Sequence, residues 1–440
     1  MKRFWLVLLS LGLVMAFSAS AFAADVKFTG SYYVTGMYLD DTTLQKDSTG
    51  AVGRPSTAFY YQRLRVNMEF IATPALKLVT RFDAMERIWG GARSAAGTTA
   101  DIDSYGTRAE NQNIAFDYAY IWYVSKIGLW QVGIMEDGAW GTRFGDNSEP
   151  EGKITWTMVK MPLIAGLQIV KLMDNSRSVL SAPFGAQNDV DADKYQGFVI
   201  YNFKGGSAGV LGYYVRNAAF RPAFAGQYLQ TIYGLVPYAR AKVGPVALEA
   251  EVQWQGGKAR DWDIAGSDVK IDSWSAYLDA LADMGMFYAG GTVAWVQGDK
   301  PTSAKQEGTQ SGGRDWNPML IMFNYDLTYW VGGLPGYGPT NIAGPMTNAW
   351  FVALRGGVRP VADLTIGAAV AYAWADQKPT PAYKKDYGIE FDVTATYRIT
   401  NNLSYMLGGA YLWTGDYYKA GTAGKVADNY MLINKLTLTF

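Results

Sequence analysis

The sequence predicts an all-β chain: a closed transmembrane antiparallel β-barrel of 18 strands. Three observations predict it. Apolar and polar residues alternate with a period of two over many segments, which suits strands and would scramble the faces of a helix. Short turn signals alternate with long polar loops, the rhythm of a barrel with tight turns at one rim and loops at the other. The chain also ends as a strand, "LTLTF", with Leu436, Leu438 and Phe440 on one face and Thr437 and Thr439 on the other.

The opening stretch is expected to be removed. Lys2 and Arg3 form a positive start, Phe4 to Phe17 are almost all apolar, and Ala21-Phe22-Ala23 is an A-x-A site. That is a secretory signal peptide over residues 1–23. Its apolar part is shorter than the roughly 20 residues a helical span needs. Residues 24–440 are then left for the barrel. After the leader no run of 18 apolar residues offers a membrane helix.

Composition narrows the chemistry. The 39 basic and 39 acidic residues balance, which gives no sign of nucleic acid as a partner. Cysteine is absent, so there is no disulfide framework or thiolate nucleophile. Histidine is absent too, which removes the commonest general base and transition-metal ligand. No cofactor is expected. Aromatic residues make up 15% of a chain whose mean hydropathy is only −0.06. A barrel that hides its apolar residues in every second position has that profile.

In chain order, strands are expected at 25–39, 57–72, 76–89, 113–126, 128–136, 153–161, 165–173, 194–204 and 208–216. The second half continues with 228–243, 246–255, 269–282, 285–298, 346–358, 364–375, 386–399, 403–414 and 428–440. "LRVNMEF" sets Leu64, Val66, Met68 and Phe70 against Arg65, Asn67 and Glu69. "VALEAEVQWQ" sets Val246, Leu248, Ala250, Val252 and Trp254 against Glu249, Glu251, Gln253 and Gln255. In "DYGIEFDVTATYRIT", Ile389, Phe391 and Val393 oppose Glu390, Asp392 and Thr394. Short turns are expected at 73–75, 243–245, 283–285, 359–363 and 400–402. Long loops are expected at 40–56, 90–112, 137–152, 174–193, 217–227, 256–268, 299–345, 376–385 and 415–427. Nine long loops imply nine hairpins, and an even strand count lets the first and last strands pair with both termini on the periplasmic side.

The terminal Phe440 resembles the C-terminal signature of Gram-negative outer-membrane proteins, whose last aromatic residue is read by the barrel assembly machinery. The chain as a whole resembles the porins, above all the 18-stranded substrate-channel and alginate-export types. "YYQRLRVNMEF" followed by "LKLVTRFDAMERIWG" resembles their arginine-bearing early strands, and "GLWQVGIMEDGAWGTRFGD" the strand and third-loop entrance that follows. The Pro-Glu-Phe-Gly-Gly signature of the general-porin third loop is absent. The resemblance implies a place in the cell outer membrane and passive diffusion of small hydrophilic solutes or ions. It implies outer-membrane lipid, lipopolysaccharide and the barrel assembly machinery as partners. Homotrimer and monomer both stay open. So do a channel selective for an anion, a sugar or a hydrophobic compound, and a structural barrel that holds a partner. Barrel enzymes of this kind lean on histidine, which this chain lacks.

An 18-stranded barrel encloses a wide lumen, so the inward residues carry the chemistry. By parity, Arg63, Arg65, Lys77, Arg81 and Arg87 line one wall, with Glu69 and Asp83 among them. Acidic lining is expected from Glu249, Glu251, Asp279, Glu390 and Asp392, and from Asp137, Asp146, Glu149 and Glu151 in the loop 137–152. A basic wall opposite an acidic loop would set a transverse field across a narrow aqueous gap, and such a field selects and orients solutes. The plainer alternative is that these residues solvate the lumen and pair with one another. Arg355 and Arg398 read as ordinary lumen residues. Met319 to Trp330 is too apolar to hang in water. It would plug the lumen, pack over the mouth or touch a neighbouring protomer. Its Phe323, Tyr325, Tyr329 and Trp330 would form a slide for solutes or a satellite core under the loop. Asp189, Asp191 and Asp193 have a calcium-like beat, but Lys194 and Ile200 stand where an EF-hand needs Gly and Glu, so a solvated acidic loop is the better reading. Tyr118, Trp122, Tyr372 and Trp374 are expected in an outward aromatic girdle.

Overall fold

The computed structural model describes residues 25–46, 55–90, 114–175, 190–221, 227–264, 266–311, 313 and 315–440. The expected signal peptide lies outside them. The first nine strands are β1 (Asp25–Leu39), β2 (Thr57–Thr73), β3 (Leu76–Ile88), β4 (Ile114–Ser125), β5 (Gly128–Asp137), β6 (Glu149–Lys160), β7 (Leu163–Met173), β8 (Ala192–Phe203) and β9 (Gly206–Asn217). The remaining nine are β10 (Tyr228–Val243), β11 (Val246–Trp262), β12 (Val269–Asp283), β13 (Phe287–Val296), β14 (Ala349–Val361), β15 (Leu364–Ala375), β16 (Asp386–Arg398), β17 (Leu403–Thr414) and β18 (Asn429–Thr439). A helix, α1 (Tyr325–Val331), lies between β13 and β14.

Every strand pairs antiparallel with its sequence neighbours, and β1 pairs with β18 from Ser31–Thr439 to Leu39–Met431. The sheet therefore closes on itself and has no edge, the state a membrane-spanning sheet requires. Closure runs to the last residue: Gly30 and Phe440 exchange backbone hydrogen bonds at 2.8 and 3.0 Å. The Phe440 ring lies against Gly30, where an added Cβ would come within 2.7 Å of Cζ. The largest boundary difference at a strand start is in β6. It begins at Glu149 rather than 153, because Glu149 pairs with Asp137 and lengthens the β5–β6 ladder.

Alternation decides which side faces out. In β16, Ile389, Phe391 and Val393 are exposed on the outer wall, whereas Glu390 and Asp392 are buried inside. Two register shifts alter the parity read from sequence. Met85 sits at φ 53°, and across this kink Leu64 pairs with Ala84 while Gln62 pairs with Arg87. Gln62 is on the outer face with Leu64 and Val66, so Arg87 belongs to the outer face and Glu86 takes the inward place. In β4 the extra residue is Asp117, inserted between the pairs Phe116–Phe82 and Tyr118–Arg81. Tyr118 and Trp122 consequently share the inner face with Arg81 and Lys77, not the outer girdle. Tyr372 does face out.

The buried apolar cluster lies within the barrel. It joins Met319, Ile321, Met322, Phe323, Leu327 and Trp330 to wall residues such as Tyr61, Tyr277, Phe351 and Met431, and to Phe144 from the β5–β6 loop. The apolar part of the long connection thus enters the lumen. Asn324 caps α1 through its side chain, which accepts from the Leu327 N–H.

Candidate functional site

The basic wall is built by β2 and β3 together with β4. Arg65 grips Asp83 through two bonds of 2.7 and 2.6 Å and reaches Asp117 at 3.5 Å. Arg81 is buried, donates to Asp117 at 3.1 Å, and lies 3.5 Å above the Tyr118 ring centre. Arg63 donates to Glu86 at 3.4 Å and lies 5.2 Å from the Tyr33 ring centre. Bidentate and ring-stacked geometry of this kind fixes guanidinium groups in place. Lys77 is away from the three arginines, near the short-turn rim, where it pairs with Glu69 at 2.8 Å beside Trp122. Arg87 is on the other face.

The acids divide by task. Glu390 accepts from the backbone N–H groups of Ile321 and Met322 at 2.7 and 2.6 Å, and Asp392 from that of Leu320 at 2.9 Å. These two carboxylates fasten the long inward segment to β16. Glu251 does the same for the β5–β6 loop: it accepts from the Thr142 N–H at 2.6 Å and its hydroxyl at 2.9 Å. Glycine at 141 and 145 leaves room for that carboxylate, since a Cβ at either position would collide with it. Asp137 turns away from the arginines and binds Lys194, with Lys153 at 3.5 Å and Gln196 at 3.0 Å. Glu249 lies 3.6 Å from Arg240. Asp279 holds Arg355 through two bonds of 2.8 Å. Arg398 is outside the site, paired with Asp363 at the short-turn rim. Asp191 and Asp193 pair with Lys171, while Asp189 is outside the described residues.

Three chambers surround the inward segment. One of about 400 Å³ lies between the arginine wall and α1, with Glu149, Asp315, Asp326, Tyr329 and Trp330 facing Arg63, Arg65 and Arg81. A second, of about 330 Å³, lies between Asp326, Asp392, Arg355 and Lys435. A third, of about 370 Å³, is lined by Arg143, Glu249, Asp279, Asp315 and Arg355. Asp315 and Asp326 are shared between chambers. Across the three, nine carboxylates face six cationic side chains among the described residues. Asp146 lies beside this system in the β5–β6 loop. Burial, then Asp315 and Glu136, push its carboxyl up to about 6.

No family model and no curated protein matches the chain. Solved structures do. OpdK of Pseudomonas aeruginosa, determined with vanillate, aligns at TM-score 0.50 with 14% identity, over 94% of this chain and 99% of that one. The fold is that of an outer-membrane porin. The anion-selective porin of Comamonas acidovorans is more distant in shape, at TM-score 0.47 and 12% identity over 95% of this chain and 100% of that one.

Several site residues were not singled out in the sequence. Glu86 comes inward only through the shift at Met85, and Asp117 is itself the residue added in β4. Asp315, Asp326 and Arg143 sit in connections, where no period reports direction. Lys435 was legible: it stands out of step with Leu436 and Leu438, and it lies 4.4 Å from the Tyr33 ring centre.

Proposed function

We propose that this protein is an outer-membrane porin, through which small hydrophilic solutes and ions diffuse passively along a charged lumen narrowed by two fastened inward loops. One observation carries the reading: a closed 18-stranded wall, apolar outside, surrounds chambers with charged side chains in their lining, on the flanks of a segment tied down by Glu390 and Asp392. The excess of carboxylates over cationic groups favours cations, because low-dielectric walls focus the field of lumen charges. The apolar outer band takes outer-membrane lipid and lipopolysaccharide as neighbours, and Phe440 serves the barrel assembly machinery. Liposome swelling tests the reading. Vesicles holding the folded protein should swell in small sugars and amino acids and resist larger oligosaccharides. No swelling in any solute would overturn it.

A substrate-selective channel is the second reading. Its support is the aromatic lining by Tyr325, Tyr329 and Trp330 beside fixed charges in one chamber. Block of the ion current by one class of solute alone would favour it.

A further inference from the structure

The β4–β5 ladder stops short of the strand ends at one rim of the barrel. The last rung of their ladder joins Ala119 to Ile134, yet β4 runs on to Ile114 and β5 to Asp137. Each lip is held from its other side, β4 by β3 up to Ala84–Ile114 and β5 by β6 up to Asp137–Glu149. Local backbone explains the parting. Gly133 adopts φ 138°, and the added residue at Asp117 bends β4.

The chamber at the arginine wall reaches this split. Its lining includes Arg81 and Asp83 from the inner face, and Phe116 and Ile134, which are 62% and 51% exposed on the outer face. The cavity is thus lined by residues of both faces. Backbone left off a ladder at membrane depth is tolerated where it is buried in protein or lines a water-filled space, and here it borders the chamber. A tilted strand needs about 9–11 residues to span, and β4 counted from Ser125 reaches that length near residues 115–117. The slot therefore opens at the outer-leaflet edge.

Its chemistry is two-sided. The lips carry Phe116, Ile134 and Pro150, with Glu136 paired to Pro150 on the same face as Ile134. Behind them, six carboxylates face three arginines among the described residues. We propose that this split is a side portal through which amphipathic organic cations, an alkyl or aromatic body carrying an ammonium head, pass from the outer leaflet into the lumen. The inference rests on the channel reading for where the solute goes next.

Two measurements on the full-length protein in bilayer vesicles test it. In the first, Phe116→Cys and Ile154→Cys are each exposed to a charged, membrane-impermeant thiol reagent; Ile154 is also outward, and it is paired with Val132 on one side and Ile169 on the other. The cysteine at position 116 should react at least tenfold faster, and equal rates would mean a closed wall. In the second, octyltrimethylammonium or octyl sulfate is added to the outer leaflet and its arrival inside is followed. The cation should cross at least fivefold faster than the anion, and Ile134→Lys should slow it severalfold. Preference for the anion would overturn the ligand class. Indifference to Ile134→Lys would show passage along the barrel axis and overturn the portal. Wild-type protein that fails to conduct KCl, with position 116 still reactive, would overturn the channel reading and leave the slot standing.

Discussion

The carboxylate of Glu390 accepts the backbone N–H of Met322 at 2.6 Å, and this contact joins the barrel wall to the segment inside it. The same carboxylate holds Ile321, and Asp392 holds Leu320, so three successive peptide groups are fixed by two acids two residues apart on a single strand face. Hydrogen bonds to charged groups contribute about 1.5–3 kcal/mol, and a buried donor left without a partner costs about 1–3 kcal/mol. Glu390→Ala should thus lower the unfolding midpoint and release the segment. Single-channel records should show larger, noisier conductance. Glu251→Ala, or removal of residues 141–148, should raise conductance through the other loop. Unchanged conductance in all three variants would place the constriction elsewhere.

A pH dependence follows from Asp146. Its carboxyl is pushed up to about 6 by burial first and by Asp315 and Glu136 next. A raised carboxyl is neutral below that value and charged above it. Raising the pH through about 6 therefore adds negative charge beside Asp315, and cation preference should increase over roughly one unit either side. Reversal potentials at a series of pH values read this directly. Asp146→Asn should flatten the curve, and an unaltered curve in that variant would assign the titration to another group.

The two faces of β16 should respond oppositely to charge. Val393 is 43% exposed on the outer wall, whereas Thr394 lines a chamber. Val393→Arg should cost roughly 2–4 kcal/mol if it lies near the midplane, and Thr394→Arg far less. Urea unfolding in lipid vesicles compares them, and equal midpoints would reverse the inside–outside assignment.

Closure at Phe440 should matter for assembly. The residue completes the β1–β18 seam with Gly30 through two backbone bonds, and its ring lies against that glycine. Deleting Phe440 should reduce the yield of heat-modifiable, folded barrel in the outer membrane. Gly30→Val should do so as well, since a Cβ there meets the Arg65 carbonyl oxygen of β2 and the Phe440 ring. Normal yield of both variants at native expression would refute the role.

The wall of the barrel was legible because period-two alternation writes inside and outside into every strand. Strand count, order and closure followed from it, and so did the inward placement of Arg63, Arg65, Arg81, Glu390 and Asp392. Parity fails wherever one residue is added. The left-handed Met85 sends Arg87 out and Glu86 in, and the inserted Asp117 brings Tyr118 inward. What the inward acids bind was not legible, because their partners are backbone N–H groups of distant loops, and every residue but proline has one. Glu251 and Glu390 read as lining residues in the sequence, while in the fold they hold loops.

The central claim is a water-filled passage whose fixed charges are mainly acidic, and reversal potential in a KCl gradient across a planar bilayer tests it most directly. The wild-type protein should open in discrete steps and prefer potassium to chloride. Replacing Arg63, Arg65 and Arg81 together with alanine should strengthen that preference, and the shift should shrink at about 1 M salt, where the Debye length falls to roughly 3 Å. Absence of conducting steps, or a wild-type reversal potential that favours chloride, would contradict the account.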